Sequence, residues 1–187
     1  EALDLFYISL SVFYADRKIA RAASLDNWTR QFKIYMPVLC IDKWNSIKET
    51  LTEMLNYLTG DIWSFEFRER GYSNNERTYQ KNKHYFRKSV RTIDTEDFCM
   101  LSGGLDSYIG AIDLLKEGKH PIFVGNYNGG KGVCLYQNEV IMSLRQHFQY
   151  PKEYFYQYYA APLSGVENTT RSRSFMFFSH AILLASG

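Results

Sequence analysis

The stretch Phe98-Cys-Met-Leu-Ser102-Gly103-Gly104-Leu105-Asp106-Ser107 decides the fold class of this chain. A short apolar run ends in Ser-Gly-Gly-x-Asp-Ser, and a segment with the apolar spacing of a helix follows at once. The two glycines allow a tight turn whose backbone N–H groups point one way. The following helix N-terminus adds unpaired N–H groups and a positive dipole end, which favour a polyanion. The stretch therefore predicts a strand, a phosphate-binding loop and a helix, in that order.

Strands and helices alternate along the rest of the chain from Thr95 onward. We predict strands at 98–101, 121–125 and 153–159, each followed by a helix. This order is typical of an α/β fold with a parallel sheet, in which ligands bind at the carboxyl ends of the strands. The segments 102–107, 126–132 and 160–173 all fall at that edge. Three strands are few for a nucleotide-binding sheet, so we expect the chain to be the N-terminal part of a longer protein.

The residues before this region predict a small α+β domain with the order β-β-α-β. Apolar residues alternate over 6–14, 32–38 and 63–67, which indicates three strands. Asp42 is suited to cap a helix that ends at Gly60. We expect the charged residues near the strand ends to form framework salt bridges rather than a catalytic site; these residues are Asp16, Arg17, Arg30 and Asp61.

A basic, polar segment joins the two regions. Between Arg68 and Arg91 there are eight basic residues against two acidic ones, a net charge of +6. Such a segment could contact RNA or another polyanion, but a solvated linker is the favoured interpretation. We therefore predict a small α+β domain at 1–70, a basic linker at 71–94, and a nucleotide-binding domain at 95–187 that is incomplete at its C-terminus.

Composition excludes several classes of protein. The chain has 187 residues, of which 45% are hydrophobic and 22% charged, with a net charge of +2. No apolar run is long enough to span a bilayer. The three cysteines are far apart, so the sequence predicts neither a disulfide framework nor a metal site. A reducing, cytoplasmic location is the default.

The Ser-Gly-Gly-x-Asp-Ser motif resembles the pyrophosphate-binding loop of the PP-loop ATPase superfamily, whose domain has the adenine nucleotide α-hydrolase-like (HUP) fold. That resemblance implies an enzyme that cleaves ATP between the α and β phosphates to adenylate a substrate oxygen, with Mg²⁺ as a companion ion. Asp106 would then act through Mg²⁺ or organise the loop. The residues that the resemblance assigns to ATP binding are Ser102, Gly103, Gly104, Leu105, Asp106 and Ser107.

Three basic residues are candidates for the chemistry. Lys131 lies in a glycine-flanked loop and could reach a phosphate or a substrate carboxylate, although an ordinary exposed lysine is an equal alternative. Arg171 and Arg173 begin the last predicted helix, where a cation opposes the dipole unless an anion is near. Their guanidinium groups could bind phosphate or carboxylate in a bidentate manner. We therefore expect Lys131, Arg171 and Arg173 to be catalytic.

A second motif, Arg171-Ser-Arg-Ser-Phe-Met-Phe-Phe-Ser-His-Ala181, together with the loop resembles the 7-cyano-7-deazaguanine synthase branch, the QueC-like proteins. The chain departs from the biosynthetic members of that branch. About ninety residues precede the loop, Leu105 replaces a polar residue, and no zinc cysteines occur before Gly187.

The leading segments Asn27–Arg30, Met36–Val38 and Leu58–Trp63 resemble the QueC-like component of Qat-type anti-phage operons. This implies ATP-dependent activation of 7-carboxy-7-deazaguanine or a similar acid. The acceptor would be ammonia or an amine on a protein from the same operon.

Two alternatives remain. The first is a PP-loop enzyme that modifies tRNA, supported by the basic segment, although thiolating members need a cysteine pair that the spacing does not offer. The second is a non-catalytic nucleotide-binding or interaction subunit, against which the intact glycines and serines argue.

Overall fold

The computed structural model describes residues 1–89, 93, 95–127, 131–161 and 165–187. The chain divides into two compact units, Glu1–Thr92 with Ser164–Arg173 and Ile93–Leu163 with Ser174–Gly187. Both units contain helices and parallel strands. The predicted α/β class is therefore confirmed. No helix within the described ranges is long and apolar enough to cross a membrane.

The first unit is built around two parallel strands. Its elements are α1 (Ala2–Lys18), β1 (Gln31–Val38), α2 (Ile41–Ser46), α3 (Lys48–Thr59), β2 (Ile62–Glu69) and α4 (Asn74–Ser89). Strands β1 and β2 pair in parallel from Gln31 opposite Ile62 to Val38 opposite Glu69. Alternate side chains of β2 are buried, as the sequence predicted: Trp63, Phe65 and Phe67.

The strand predicted at 6–14 is wrong, because these residues lie in helix α1. The buried positions include Asp4, Ile8, Val12 and Asp16, which recur every four residues as on one face of a helix. Apolar residues are so dense here that an alternating pattern also fits. The predicted order β-β-α-β is accordingly replaced by α-β-α-α-β-α.

The cap predicted at Asp42 is wrong, because the helix begins at Ile41 with Cys40 as its N-cap. The helix is also divided in two at Ile47, whose φ of −110° and ψ of 5° are not helical. Its predicted end is confirmed, since Gly60 adopts the left-handed conformation with φ 72°. The predicted linker contains helix α4. That helix begins with a capping box in which the Glu76 N–H donates to Ser73 Oγ and the Ser73 N–H donates to Glu76 Oε2.

The second unit has a three-stranded parallel sheet in the order β3-β4-β5. Its elements are β3 (Phe98–Met100), α5 (Leu105–Lys116), β4 (Ile122–Tyr127), α6 (Lys131–Phe148), β5 (Phe155–Tyr159) and α7 (Arg173–Ala185). All three predicted strands and their following helices are present. Helix α5 ends just before Gly118, which has φ 75°.

Two hydrophobic clusters form the core of this unit. One contains Leu101, Ala111, Phe123 and Leu144, and the other contains Ile122, Val124, Phe177 and Ala181. Some apolar residues of its helices lie outside these clusters. Leu105 is 70% exposed at the start of α5, and Phe178 and Ile182 of α7 are also exposed. The buried residues of α7 are instead Phe175, Met176, Phe177, Ser179, His180 and Ala181.

Candidate functional site

Residues 102–107, called the Ser-Gly-Gly loop below, follow β3 directly. The N–H of Leu101 still donates to the Val124 carbonyl at 2.8 Å, so the chain leaves the sheet only at Ser102. Gly103 then turns with φ 86°, which favours glycine. Gly104 is extended and forms the N-cap of α5. The loop therefore lies at the carboxyl edge of the parallel sheet and leads straight into a helix.

The start of α5 offers backbone donors. The Tyr108 N–H donates to the Gly104 carbonyl at 3.1 Å and is the first donor of the helical ladder. The N–H groups of Leu105, Asp106 and Ser107 precede it and have no partner within the helix. Two of the three residues that carry these donors, Leu105 and Asp106, are exposed to solvent. Three adjacent donors at the positive end of a helix can bind an oxyanion.

The two serines brace the loop. Ser102 Oγ and Ser107 Oγ lie 3.0 Å apart, and the Ser107 hydroxyl donates to the Gly104 carbonyl at 2.9 Å. The Gly104 N–H also points toward Ser102 Oγ at 3.3 Å. These hydrogen bonds within the loop stabilise the turn, so its conformation does not depend on a ligand.

The two glycines have different surroundings. A Cβ on Gly103 would lie 2.9 Å from Gln137 Cγ and 3.0 Å from the Gln137 backbone nitrogen. A Cβ on Gly104 would have only Ser102 Oγ near it, at 3.5 Å. Gly103 is therefore required by the packing of α6, whereas Gly104 faces open space. That space is where a phosphate would approach the backbone.

Gln137 of α6 was not singled out from the sequence. It is fully buried, and its Nε2 donates to the carbonyl oxygens of Ser102 at 3.2 Å and Asn126 at 3.0 Å. Its Oε1 accepts from Gln157 Nε2 at 3.1 Å. A polar residue four positions before Ile141 and seven before Leu144, on the buried stripe of α6, is the signal that could have revealed it.

The other predicted loops are only partly described. Residues 128–130 lie outside the described residues, and so does the side chain of Lys131, whose backbone begins α6. Asn126, just before them, is fully buried at the end of β4. The role predicted for Lys131 thus stays a prediction.

Arg171 makes contacts within the first unit. Its guanidinium donates to the Thr59 carbonyl at 2.8 Å and lies 5.2 Å from the centre of the Trp28 ring. Arg21 does the same, donating to the Thr59 carbonyl at 3.0 Å and lying 5.1 Å from that ring. Because Thr59 ends α3, both cations lie at the negative end of a helix dipole. Arg171 therefore has favourable electrostatic partners without any ligand.

Arg173 is the first residue of α7, and its N–H donates to the Thr170 carbonyl at 3.1 Å. Its side chain is partly buried. These contacts do not test the catalytic roles predicted for Arg171 and Arg173, which stay predictions.

A buried ionic network confirms the salt-bridge framework expected for Asp16, Arg30 and Asp61 in the first unit. Arg30, 2% exposed, forms ion pairs with Asp16 at 2.5 Å and with Asp61 at 2.6 Å. Arg21 pairs with Asp61 at 2.9 Å. Burial alone would raise the pKa of Asp61, but hydrogen bonds from Arg30 outweigh it and lower that pKa. Breaking such a buried pair costs about 3–5 kcal/mol, which fits a structural role.

Metal sites and reactive cysteines each require particular side chains. No group of three or more His, Cys, Asp or Glu side chains in the described ranges could hold a metal ion. Asp106 is the carboxylate of the loop, an oxygen ligand of the kind that Mg²⁺ prefers. Burial raises the pKa of the Cys99 thiol, which disfavours the reactive thiolate.

No protein-family model, no curated protein and no solved structure matches this chain.

Proposed function

We propose that the protein binds ATP at the Ser-Gly-Gly loop and cleaves it between the α and β phosphates. The observation that carries the proposal is the pair of glycines at the carboxyl edge of β3. Gly103 makes the turn, and the open side of Gly104 leaves the first amides of α5 accessible. Those amides supply donors for a pyrophosphate group, while the Ser102 and Ser107 hydroxyls bond to each other and to the Gly104 carbonyl and so hold the loop in shape.

The reaction that suits such a cradle is adenylation. A substrate carboxylate oxygen attacks the α-phosphorus, the bond from that phosphorus to the α–β bridging oxygen breaks, and pyrophosphate leaves. An amine then attacks the acyl carbon, loses a proton and expels AMP, leaving an amide. The loop's part is to stabilise the charge that develops on pyrophosphate, since its donors are fixed before the reaction begins.

The substrate class comes from the resemblance to the QueC-like branch. The acid is 7-carboxy-7-deazaguanine or a similar deazapurine carboxylate, and the acceptor is ammonia or a protein amine. The setting is anti-phage defence in the cytoplasm, with a protein partner from the same operon. Lys131 and Arg173 are the residues that we assign to the phosphates or to the carboxylate; Arg171, expected to join them, already binds the Thr59 carbonyl and the Trp28 ring.

An ATP–pyrophosphate exchange assay tests the proposal. Labelled pyrophosphate should enter ATP only when a suitable acid is present, so benzoate and 7-carboxy-7-deazaguanine form the first comparison. For substitutions of the loop glycines Gly103 and Gly104, the Gly110→Ala variant is a matched control, because a Cβ at Gly110 in α5 meets nothing within 4 Å. Exchange that is absent with every acid, together with no ATP binding by calorimetry, would refute the adenylating function.

A tRNA-modifying activity is the second candidate. Helix α4 exposes Arg77, Lys81 and Lys83 and belongs to the segment with the excess of basic residues. If it binds RNA, affinity should fall steeply with salt, about tenfold or more between 50 and 200 mM. The partly buried Cys99 argues against a thiolating chemistry. We therefore favour the adenylation of a small acid.

A further inference from the structure

Gln137 is hydrogen-bonded to residues in or just after each of the three strands of the second unit. Its side-chain amide donates to Ser102, which follows β3, and to Asn126 in β4, and it accepts from Gln157 in β5. The residue is fully buried although it is polar. Burying an amide costs free energy unless it is hydrogen-bonded, and here both ends of the amide are satisfied.

The backbone of α6 contacts the loop at the same place. A Cβ on Gly103 would come within 3.2 Å of Gln137 Cα. A Cβ on Gly125 would lie 3.1 Å from Gln137 Oε1 and 3.3 Å from the Leu101 carbonyl oxygen. Small residues on two neighbouring strand ends thus make room for this one side chain.

We infer that Gln137 is a positioning residue for the Ser-Gly-Gly loop. By holding the Ser102 carbonyl inward, it turns the following amides of the loop outward, toward the position of the phosphates. The inference rests on the proposed function, since the ligand is the ATP proposed above. Gln137 itself is buried beneath the loop and would not touch the substrate.

A purely structural glutamine would act on stability alone. A positioning residue has a further effect, because loss of its bonds frees the Ser102 carbonyl and loosens the loop while the sheet persists. Gln137→Met keeps nearly the same length and removes both donors. Gln146→Met is the matched control, with the same substitution at an exposed position of α6.

Backbone order parameters test the inference without any ligand. In the wild-type protein the Gly103 and Gly104 amides should have the order parameter of a rigid backbone, about 0.85, and in Gln137→Met they should fall below about 0.6. Gln146→Met should leave them unchanged. Unchanged values for Gln137→Met would overturn the inference.

Nucleotide kinetics give the second readout. Gln137→Met should raise the KM for ATP at least about tenfold and leave the KM for the acid within about twofold. Equal changes in both constants would point to a general loss of structure and would overturn the positioning role. If the wild-type protein binds no ATP, the proposed function fails, but the order parameters still decide the role of Gln137.

A milder variant covers the case in which Gln137→Met does not fold. Gln157→Met, at an exposed residue of β5, removes only the bond to Gln137 Oε1. It should loosen Gly103 and raise the KM for ATP about threefold. No change in either quantity would contradict the inference.

Discussion

The backbone nitrogen of Gln137 lies 3.0 Å from the position that a Cβ on Gly103 would occupy. Gly103 also has φ 86°, which L side chains rarely adopt. The Gly103→Ala variant should therefore lose stability, by about 1–3 kcal/mol, in addition to any loss of ATP binding. Thermal unfolding of the protein checks this. An unchanged Tm would mean that α6 can move aside from the loop.

Gly104→Val is the cleaner test of phosphate binding. Gly104 is extended and a Cβ there meets nothing nearer than 3.5 Å, so the variant should fold normally. Its side chain would occupy the space above the first amides of α5, and ATP turnover should fall at least about a hundredfold, or about 2.7 kcal/mol. Pyrophosphate release at the wild-type rate would show that phosphate does not approach Gly104.

The products distinguish adenylation from phosphoryl transfer. We expect AMP and pyrophosphate in equal amounts and no ADP, because the chain has no lysine-bearing Walker loop. Chromatography of the nucleotides after incubation with ATP, Mg²⁺ and the acid gives the answer. ADP as the main product would rule the mechanism out.

The strands and helices of the second unit could be predicted because the apolar pattern and the glycine-containing turn indicate the same boundaries. Apolar runs and the Ser-Gly-Gly turn mark boundaries that the structure confirms within a few residues. Helix α1 could not be predicted, because nearly every residue between Leu3 and Ala15 is apolar or small. Its helical face is marked by Asp4 and Asp16, whose partners Arg70 and Arg30 are distant in sequence.

The candidate site was only half predictable. The loop residues are contiguous, so their motif is visible in the sequence. Gln137 instead contributes through hydrogen bonds to Ser102, Asn126 and Gln157, which lie 35, 11 and 20 positions away along the chain. The placement of Arg171 also depends on Thr59 and Trp28, more than a hundred positions earlier in the chain. The spacing of residues around the start of α7 does not predict such contacts.

Acid should weaken the first unit through Glu76. A hydrogen bond from Arg70 lowers the pKa of Glu76 from its ordinary value of 4.5 to about 2. Because the folded pKa is below the ordinary value, this stabilisation is complete above about pH 4.5 and is lost as the pH falls toward 2. The Tm of wild type should therefore decline more between pH 5 and pH 3 than that of Glu76→Gln. Glu69→Gln, at an exposed residue of β2, should decline as wild type does.

Arg171 and Arg173, two residues apart, should respond differently to truncation. Arg171 donates to the Thr59 carbonyl and stacks on Trp28. Its loss should cost about 1–2 kcal/mol, from one charge-assisted hydrogen bond and one exposed cation–π contact. In a double-mutant cycle, Arg171→Ala and Trp28→Ala should show a coupling of about 0.5–1 kcal/mol.

Arg173→Ala should instead lower kcat/KM for the adenylation at least about tenfold, or about 1.4 kcal/mol. Arg173→Lys should restore part of that loss, because an ammonium keeps the charge but lacks the planar fork of the guanidinium. Steady-state kinetics and thermal unfolding separate the loss of activity from the loss of stability. Both are measured on the same four proteins: wild type, Arg171→Ala, Arg173→Ala and Arg173→Lys. If Arg173→Ala lowers only the Tm and leaves the kinetics unchanged, Arg173 is structural. The resemblance to the QueC-like branch would then depend on the Ser-Gly-Gly loop alone.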